Sequence, residues 1–238
     1  MNLSQLTAPA NLYRILSFDR AAEIITSRQL YFAHPSTWDD PYERVLKHDA
    51  AKAIFAQCWC RKAVSDAMWR IYSPHGLGVR IATTRQRLQQ CLAAARRTRP
   101  FSYATLNVEY LNQEEIESRL EEARSQLRAE FSVEAAIEPL FLKRRAFDHE
   151  REARVVIFDE HSLKGDPKNG ISIDIDPFKL LTSIWIDPRA PEETVKAYKF
   201  YLKEKLGFPG TVEKSRLYAV PDSLSSRMEA CGQPDAAP

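Results

Sequence analysis

Lys143-Arg144-Arg145-Ala146-Phe147-Asp148-His149-Glu150-Arg151-Glu152-Ala153-Arg154-Val155-Val156-Ile157-Phe158 is the stretch whose reading decides the fold. From Arg154 onward it reads as a strand, because two β-branched valines are followed by Ile157 and Phe158. If the strand already runs from Glu150, its side chains alternate. Glu150, Glu152 and Arg154 then share one face, and Arg151, Ala153, Val155 and Ile157 share the other. Two carboxylates about 7 Å apart with a guanidinium in line make a candidate active-site wall. The same pattern also fits an exposed strand end laced with cross-strand ion pairs, which contribute little to stability.

Upstream, residues 11–18 read as a first strand, with Asp19 as an N-cap and residues 20–29 as a short helix. Residues 30–33 form a second strand that stops at His34-Pro35, since the residue before a proline is pushed out of the helical region. Trp38-Asp39-Asp40-Pro41-Tyr42-Glu43 is a turn by its chemistry, dense in aromatic and acidic groups. Residues 53–60 read as a buried strand, 65–72 as helical turns and 79–82 as a strand entered through Gly76-Leu77-Gly78. That lone Gly-x-Gly is no nucleotide fingerprint, because no helix follows it. Residues 84–97 are an amphipathic helix with Leu88, Cys91, Leu92 and Ala95 as its stripe. Residues 103–111 read as one strand, Asn112 as the cap of a charged helix over 113–130, and Ser132 as the start of another helix carrying Leu140 and Leu142.

Downstream, residues 159–170 are a polar loop and 171–175 an alternating strand. Residues 180–186 are the most apolar strand and are expected centrally. A helix opened by Pro191 runs to Leu206 and stops at Gly207, and a last strand spans 211–218. Residues 1–10 read as a flexible arm, 11–222 as a single globular domain and 223–238 as a disordered tail. Strands and helices mix without regular βαβ alternation. The expected class is therefore α+β, with a mixed, mostly antiparallel sheet flanked by helices.

Composition narrows the partners. The chain has 238 residues, 44% of them hydrophobic and 28% charged, as in an ordinary globular protein. No run approaches the roughly 18 apolar residues of a membrane span, so no membrane partner is expected. The start of the chain lacks a basic end and an apolar core, and Cys58, Cys60, Cys91 and Cys231 make no disulfide framework; a reducing cytoplasm is the expectation. The net charge of +2 identifies no partner. Basic residues do cluster at Arg96, Arg97 and Arg99 and again from Lys143 to Arg154, where a phosphate-bearing ligand or a nucleic acid would find them. The first cluster also reads as a solvated helix end.

Four blocks in order carry a family resemblance: Leu12-Tyr13-Arg14; Leu30-Tyr31-Phe32 leading to the Trp38–Glu43 turn; Met68-Trp69-Arg70-Ile71-Tyr72 with Gly78; and Lys143 with Glu150-Arg151-Glu152-Ala153-Arg154. On these the chain resembles the bacterial domain-of-unknown-function family 2971. Where the family usually reads Asn-Asp-Pro-Phe-Glu, this chain has Asp39 for the Asn and Tyr42 for the Phe. A looser resemblance is to ADP-ribosyltransferase-like folds, which carry an aromatic-basic or histidine motif on an early strand, an aromatic motif mid-chain and a late strand Glu. Tyr13-Arg14, Trp69 with Tyr72, and Glu150 or Glu152 fall in that order. The mid-chain Ser-Thr-Ser of one branch is absent, and no His sits on the first strand.

That resemblance implies NAD as a co-substrate, no tightly bound cofactor, a phosphate-bearing dinucleotide partner and a protein or nucleic-acid target. Breaking the nicotinamide–ribose bond develops positive charge on the sugar, which Glu150 or Glu152 would stabilise. Arg14 or Arg154 would fork onto pyrophosphate, and Tyr42, Trp69 or Tyr72 would hold the nicotinamide. Tyr13, Glu43 and Lys143 complete the candidate set. Two other classes fit the same residues. A non-catalytic ligand-binding or regulatory module would bind without turnover. A metal-dependent hydrolase or nuclease would gather Asp39, Asp40, Glu43, Glu150 and Glu152 around Mg²⁺, with Lys143 on a phosphate.

Overall fold

A computed structural model of the chain describes residues 11–40, 42, 49–63, 65–165 and 169–220. The expected arm, the expected tail and Glu43 lie outside these residues. In chain order the elements are β1 (Asn11–Leu16), α1 (Phe18–Ser27), β2 (Gln29–Ala33), β3 (Ile54–Cys60), α2 (Asp66–Tyr72), β4 (Val79–Thr84), α3 (Arg85–Ala95), β5 (Ser102–Asn107) and β6 (Glu109–Leu111). Then follow α4 (Gln113–Ala129), α5 (Val133–Ile137), β7 (Leu142–Arg144), β8 (Glu152–Phe158), β9 (Gly170–Asp174), α6 (Pro177–Leu180), β10 (Ser183–Ile186), α7 (Glu192–Phe200) and β11 (Thr211–Lys214).

The architecture is α+β with a mostly antiparallel sheet. The strand β3 is its fork. Along one edge it pairs with β8 over its whole length, from Ile54↔Phe158 to Cys60↔Glu152. On the other edge it meets two strands: β1 through Tyr13↔Cys60 and β2 through Ala33↔Ala56. From β1 the sheet continues to β4, β10 and β11; from β2 it continues to β9; β5 adds to β8. Among the described residues only β10 and β11 run parallel in this sheet, joined by the α7 crossover. A second small sheet pairs β6 with β7 in parallel.

Local chemistry explains the ends. The Ser65 and Thr84 side chains accept from the Met68 and Arg87 amides and open α2 and α3. Asn112 and Glu115 form a reciprocal capping box on α4, at 2.9 and 2.8 Å. Gly207, at φ 64, closes the helical run after α7. The strand β8 is buried along its whole length because its two faces serve two cores. Val155 and Ile157 join Leu12, Leu30, Phe55, Ile81, Leu88, Leu92 and Ile184. Val156 and Phe158 join Ile54, Ala56, Leu140 and Phe141. No described helix is long and apolar enough to cross a membrane.

Several expectations are corrected. β8 begins at Glu152, not Glu150; Arg145–Glu150 is a 3-10 turn, and Arg151, at φ 47 and ψ 50, swings the chain from that turn into the strand. The stretch 103–111 splits at Val108, whose amide donates to the Glu152 carbonyl at 3.0 Å while the chain beyond pairs with β7. Pro139 ends α5 early, so Leu142 lies on β7, a strand the pattern did not show. Ser17, not Asp19, holds the N-cap position of α1. Residues 177–180 are the helix α6, and the apolar strand after it lies one place in from the sheet edge, between β4 and β11.

Candidate functional site

Where β8 starts, four charged side chains form one buried quartet. Lys143, Glu150, Glu152 and Arg154 are 7%, 6%, 5% and 0% exposed. Lys143 Nζ donates to Glu150 Oε2 and reaches Glu152 Oε1 at 3.4 Å. The other oxygen of Glu152 takes Arg154 Nε at 2.7 Å and Arg154 Nη2 at 2.6 Å. Arg154 Nη1 donates to the Leu140 carbonyl at 2.7 Å, and its guanidinium lies 4.7 Å over the Trp38 ring. Each carboxylate is thus matched by a cation, which burial demands. The reading of an exposed strand end with weak ion pairs is corrected by this burial.

Three elements place the four members. The short pairing of β7 with β6 carries Lys143. The 3-10 turn carries Glu150, and β8 carries Glu152 and Arg154 on one face. The Glu152 amide donates to the Tyr110 hydroxyl of β6 at 2.7 Å, which ties the strand start to the small sheet. The Tyr72 hydroxyl of α2 donates to Glu150 Oε1 at 3.3 Å. Burial pushes the Glu150 carboxyl above the usual range and the charge of Glu152 adds to this, while the Lys143 hydrogen bond pulls the other way. Burial, then the charges of Glu150 and Glu152, raise the Tyr72 hydroxyl, so it stays a donor.

The quartet faces a cleft of about 180 Å³. It opens where β1 leaves β3 after their one pairing, Tyr13↔Cys60. Its walls are residues 13–16 of β1, residues 58–60 of β3, Met68, Trp69 and Tyr72 of α2, Arg80 of β4, and Glu152. Glu152 is the one quartet member among these. Arg14 is half-buried and makes no hydrogen bond or ion pair among the described residues; burial lowers its pKa. Four aromatic residues, two arginines and a held carboxylate therefore line one space. This arrangement suits a ligand with a flat ring, an anionic group and a centre that gains positive charge.

Residues 68–155 match a family model, described as Protein of unknown function (DUF2971). No curated protein matches the chain. Among solved structures the chain is similar to Thermus sp. 2.9 DarT in complex with carba-NAD+, at 13% identity and a TM-score of 0.41, covering 88% of this chain and 96% of that one. It is similar to the same protein in complex with NAD+, at 13% identity and 0.39, covering 87% and 96%. A third structure, in complex with ADP-ribosylated ssDNA, matches at 12% identity and 0.40, covering 88% and 95%.

The DUF2971 match takes in two of the four blocks, α2 and the quartet stretch. Of the candidate residues, Tyr13, Arg14, Trp69, Tyr72 and Glu152 line the cleft. Glu150, Lys143 and Arg154 stand behind Glu152. Tyr42 lies elsewhere, its ring 4.9 Å from the Arg144 guanidinium, and Asp40 Oδ1 meets Arg144 Nη2 at 3.3 Å. Asp39 is exposed. Among the described residues no three His, Cys, Asp or Glu side chains gather as metal ligands. Three residues escaped the sequence reading: Arg80, Trp185 and Tyr110. Arg80 alternates in an apolar strand, which reads as an outward arginine, but α2 covers that face.

Proposed function

We propose that the chain is an NAD-using ADP-ribosyltransferase-like enzyme acting on a macromolecular target, protein or nucleic acid. The observation that carries the reading is Glu152. It is the quartet carboxylate that lines the cleft, held by Arg154 and Lys143 opposite the rings of Tyr13, Trp69 and Tyr72. In this reading NAD is a co-substrate. The nicotinamide rests against the rings, and Arg14 takes the pyrophosphate. As the bond from ribose C1′ to the nicotinamide nitrogen breaks, its electron pair leaves with nicotinamide. Positive charge grows on the ribose ring, and the fixed carboxylate of Glu152 stabilises it. A target nucleophile then bonds to C1′, and its proton passes to a carboxylate. Glu152 faces the cleft for this role, and Glu150, whose proton affinity burial raises, stands behind it. Arg154 and Lys143 position Glu152 and touch no substrate.

One observation favours a second reading. Both Glu152 oxygens already meet cations, as in a purely structural network, so a non-catalytic module that binds ligand without turnover fits the same cleft. The deciding experiment incubates the full chain with NAD labelled in the adenylate part, with and without cell-extract protein or single-stranded nucleic acid. Nicotinamide release and labelled macromolecule are then followed for the wild type and Glu152→Gln. Release by the wild type and its loss in the variant support the enzyme. NAD binding with no release in any mixture supports the module.

A further inference from the structure

We infer that Arg80 anchors an anion subsite in the cleft, built to take the phosphate or diphosphate of a small ligand. Arg80 projects from β4 opposite Ile15 of β1 and Trp185 of β10. Its guanidinium sits among three rings, 5.0 Å from Tyr13, 5.8 Å from Trp185 and 5.9 Å from Trp69. The side chain lines the cleft, yet the residue is only 7% exposed. Its Nε is enclosed with no hydrogen-bond partner, and the residue makes no hydrogen bond or ion pair among the described residues.

Among the described residues, the other two buried arginines have acceptors. Arg154 is closed by Glu152 and the Leu140 carbonyl, and Arg85 by the Thr105 carbonyl and Asn107 Oδ1. Aromatic faces attract a guanidinium but offer its N–H groups no acceptor in their plane. What remains missing is an anion with oxygens in a fork, and a phosphate has that geometry. Arg14, also without a hydrogen-bond partner among the described residues, lines the same cleft and adds a second positive charge. Burial under α2 favours a small molecule over a polymer backbone. The lattice of the sheet adds a length. From β8 to β4 is three strand steps, through Cys60 and Tyr13 to Ala82, and Arg80 lies two residues further along, so the Glu152 and Arg80 backbones stand roughly 16 Å apart at about 4.8 Å per step and 3.3 Å per residue. The identity of that ligand as a dinucleotide rests on the function proposed above; the subsite rests on Arg80's own surroundings.

The test is calorimetric titration of the full chain with inorganic diphosphate, ADP-ribose and adenosine. The wild type is compared with Arg80→Met and Arg80→Lys. The expected result is binding of diphosphate and ADP-ribose to the wild type. Arg80→Met should weaken both by about tenfold to a hundredfold, the effect of losing charge-assisted hydrogen bonds. Arg80→Lys should recover part of this, because the charge stays and the fork is lost. Without ligand, Arg80→Met should melt no lower than the wild type, since it removes an unneutralised buried charge. Diphosphate affinity unchanged in Arg80→Met, or no diphosphate binding to the wild type, would overturn the subsite. If Arg80→Met does not fold, Arg80→Lys decides on the same criterion. Intact diphosphate binding without NAD turnover would refute the enzyme reading and leave the subsite standing.

Discussion

Glu152 divides its two oxygens between Arg154 and Lys143, and removing its charge strands a fully buried arginine. Glu152→Gln is therefore expected to cost about 3 kcal/mol, as for one member of a buried pair. For a chain of this size that lowers the melting temperature by roughly 6–12 °C. Nicotinamide release, assayed well below the melting point, should fall about a hundredfold or more. A destabilised variant with full specific activity would refute a catalytic Glu152. Glu150 gives a pH signature. Its pKa lies above the ordinary 4.5 because it is buried, so the folded chain keeps a proton that the unfolded chain has released. Its contribution to stability is thus greatest below pH 4.5 and declines as pH rises through the raised value. Subtracting the Glu150→Gln stability curve from that of the wild type should leave a difference that falls with rising pH. A difference that rises instead would mean that Lys143 outweighs burial.

At the scale of elements, the positive-φ turn at Arg151 decides which way Glu150 and Glu152 point. A β-branched residue tolerates that backbone poorly. Arg151→Val should cost about 1–2 kcal/mol and impair the site beyond that loss, whereas Arg151→Gly should keep both. Denaturant melts of the two variants separate these outcomes. On β10, Ile184 is fully buried between Ile81 and Val212, and Ile184→Ala should cost about 2–5 kcal/mol in the same assay. Elements with local signals were legible in the sequence. Asn112 announces α4 by its capping chemistry, and Leu88, Cys91, Leu92 and Ala95 announce the buried stripe of α3. Elements created by distant partners were not. Leu142-Lys143-Arg144 is a strand only because β6 lies beside it, and Val108 interrupts a strand pattern only because Glu152 claims its amide. The cleft was half legible: Tyr13, Trp69, Tyr72 and Glu152 mix charge and aromaticity where plain patterning asks for neither. Arg80 carries no such mark, since an arginine on one face of a strand looks the same whether water or a helix covers it.

For the whole molecule, the forked sheet brings residues of β1, β3, β4, β8 and α2 to one cleft, so a ligand that fills it would touch all five elements at once. Binding should therefore stabilise the fold as a unit. At a concentration about a hundred times its dissociation constant, NAD or ADP-ribose should add about 2.7 kcal/mol and raise the melting temperature by roughly 5–10 °C. Thermal melts across a concentration series check this, and a flat series would show that the cleft takes neither. The pairing of β3 with β8 also sets a timetable. Cys60 waits for Glu152, roughly ninety residues later in the chain, before the carboxylate has a place beside the rings. Closing so long a loop is slow, and its gain comes only after its entropy cost has been met. A nascent chain on the ribosome thus holds the arginines and aromatic residues of the cleft long before it holds the acid. In the function proposed above, the cleft lacks its carboxylate until close to two thirds of the chain has been made.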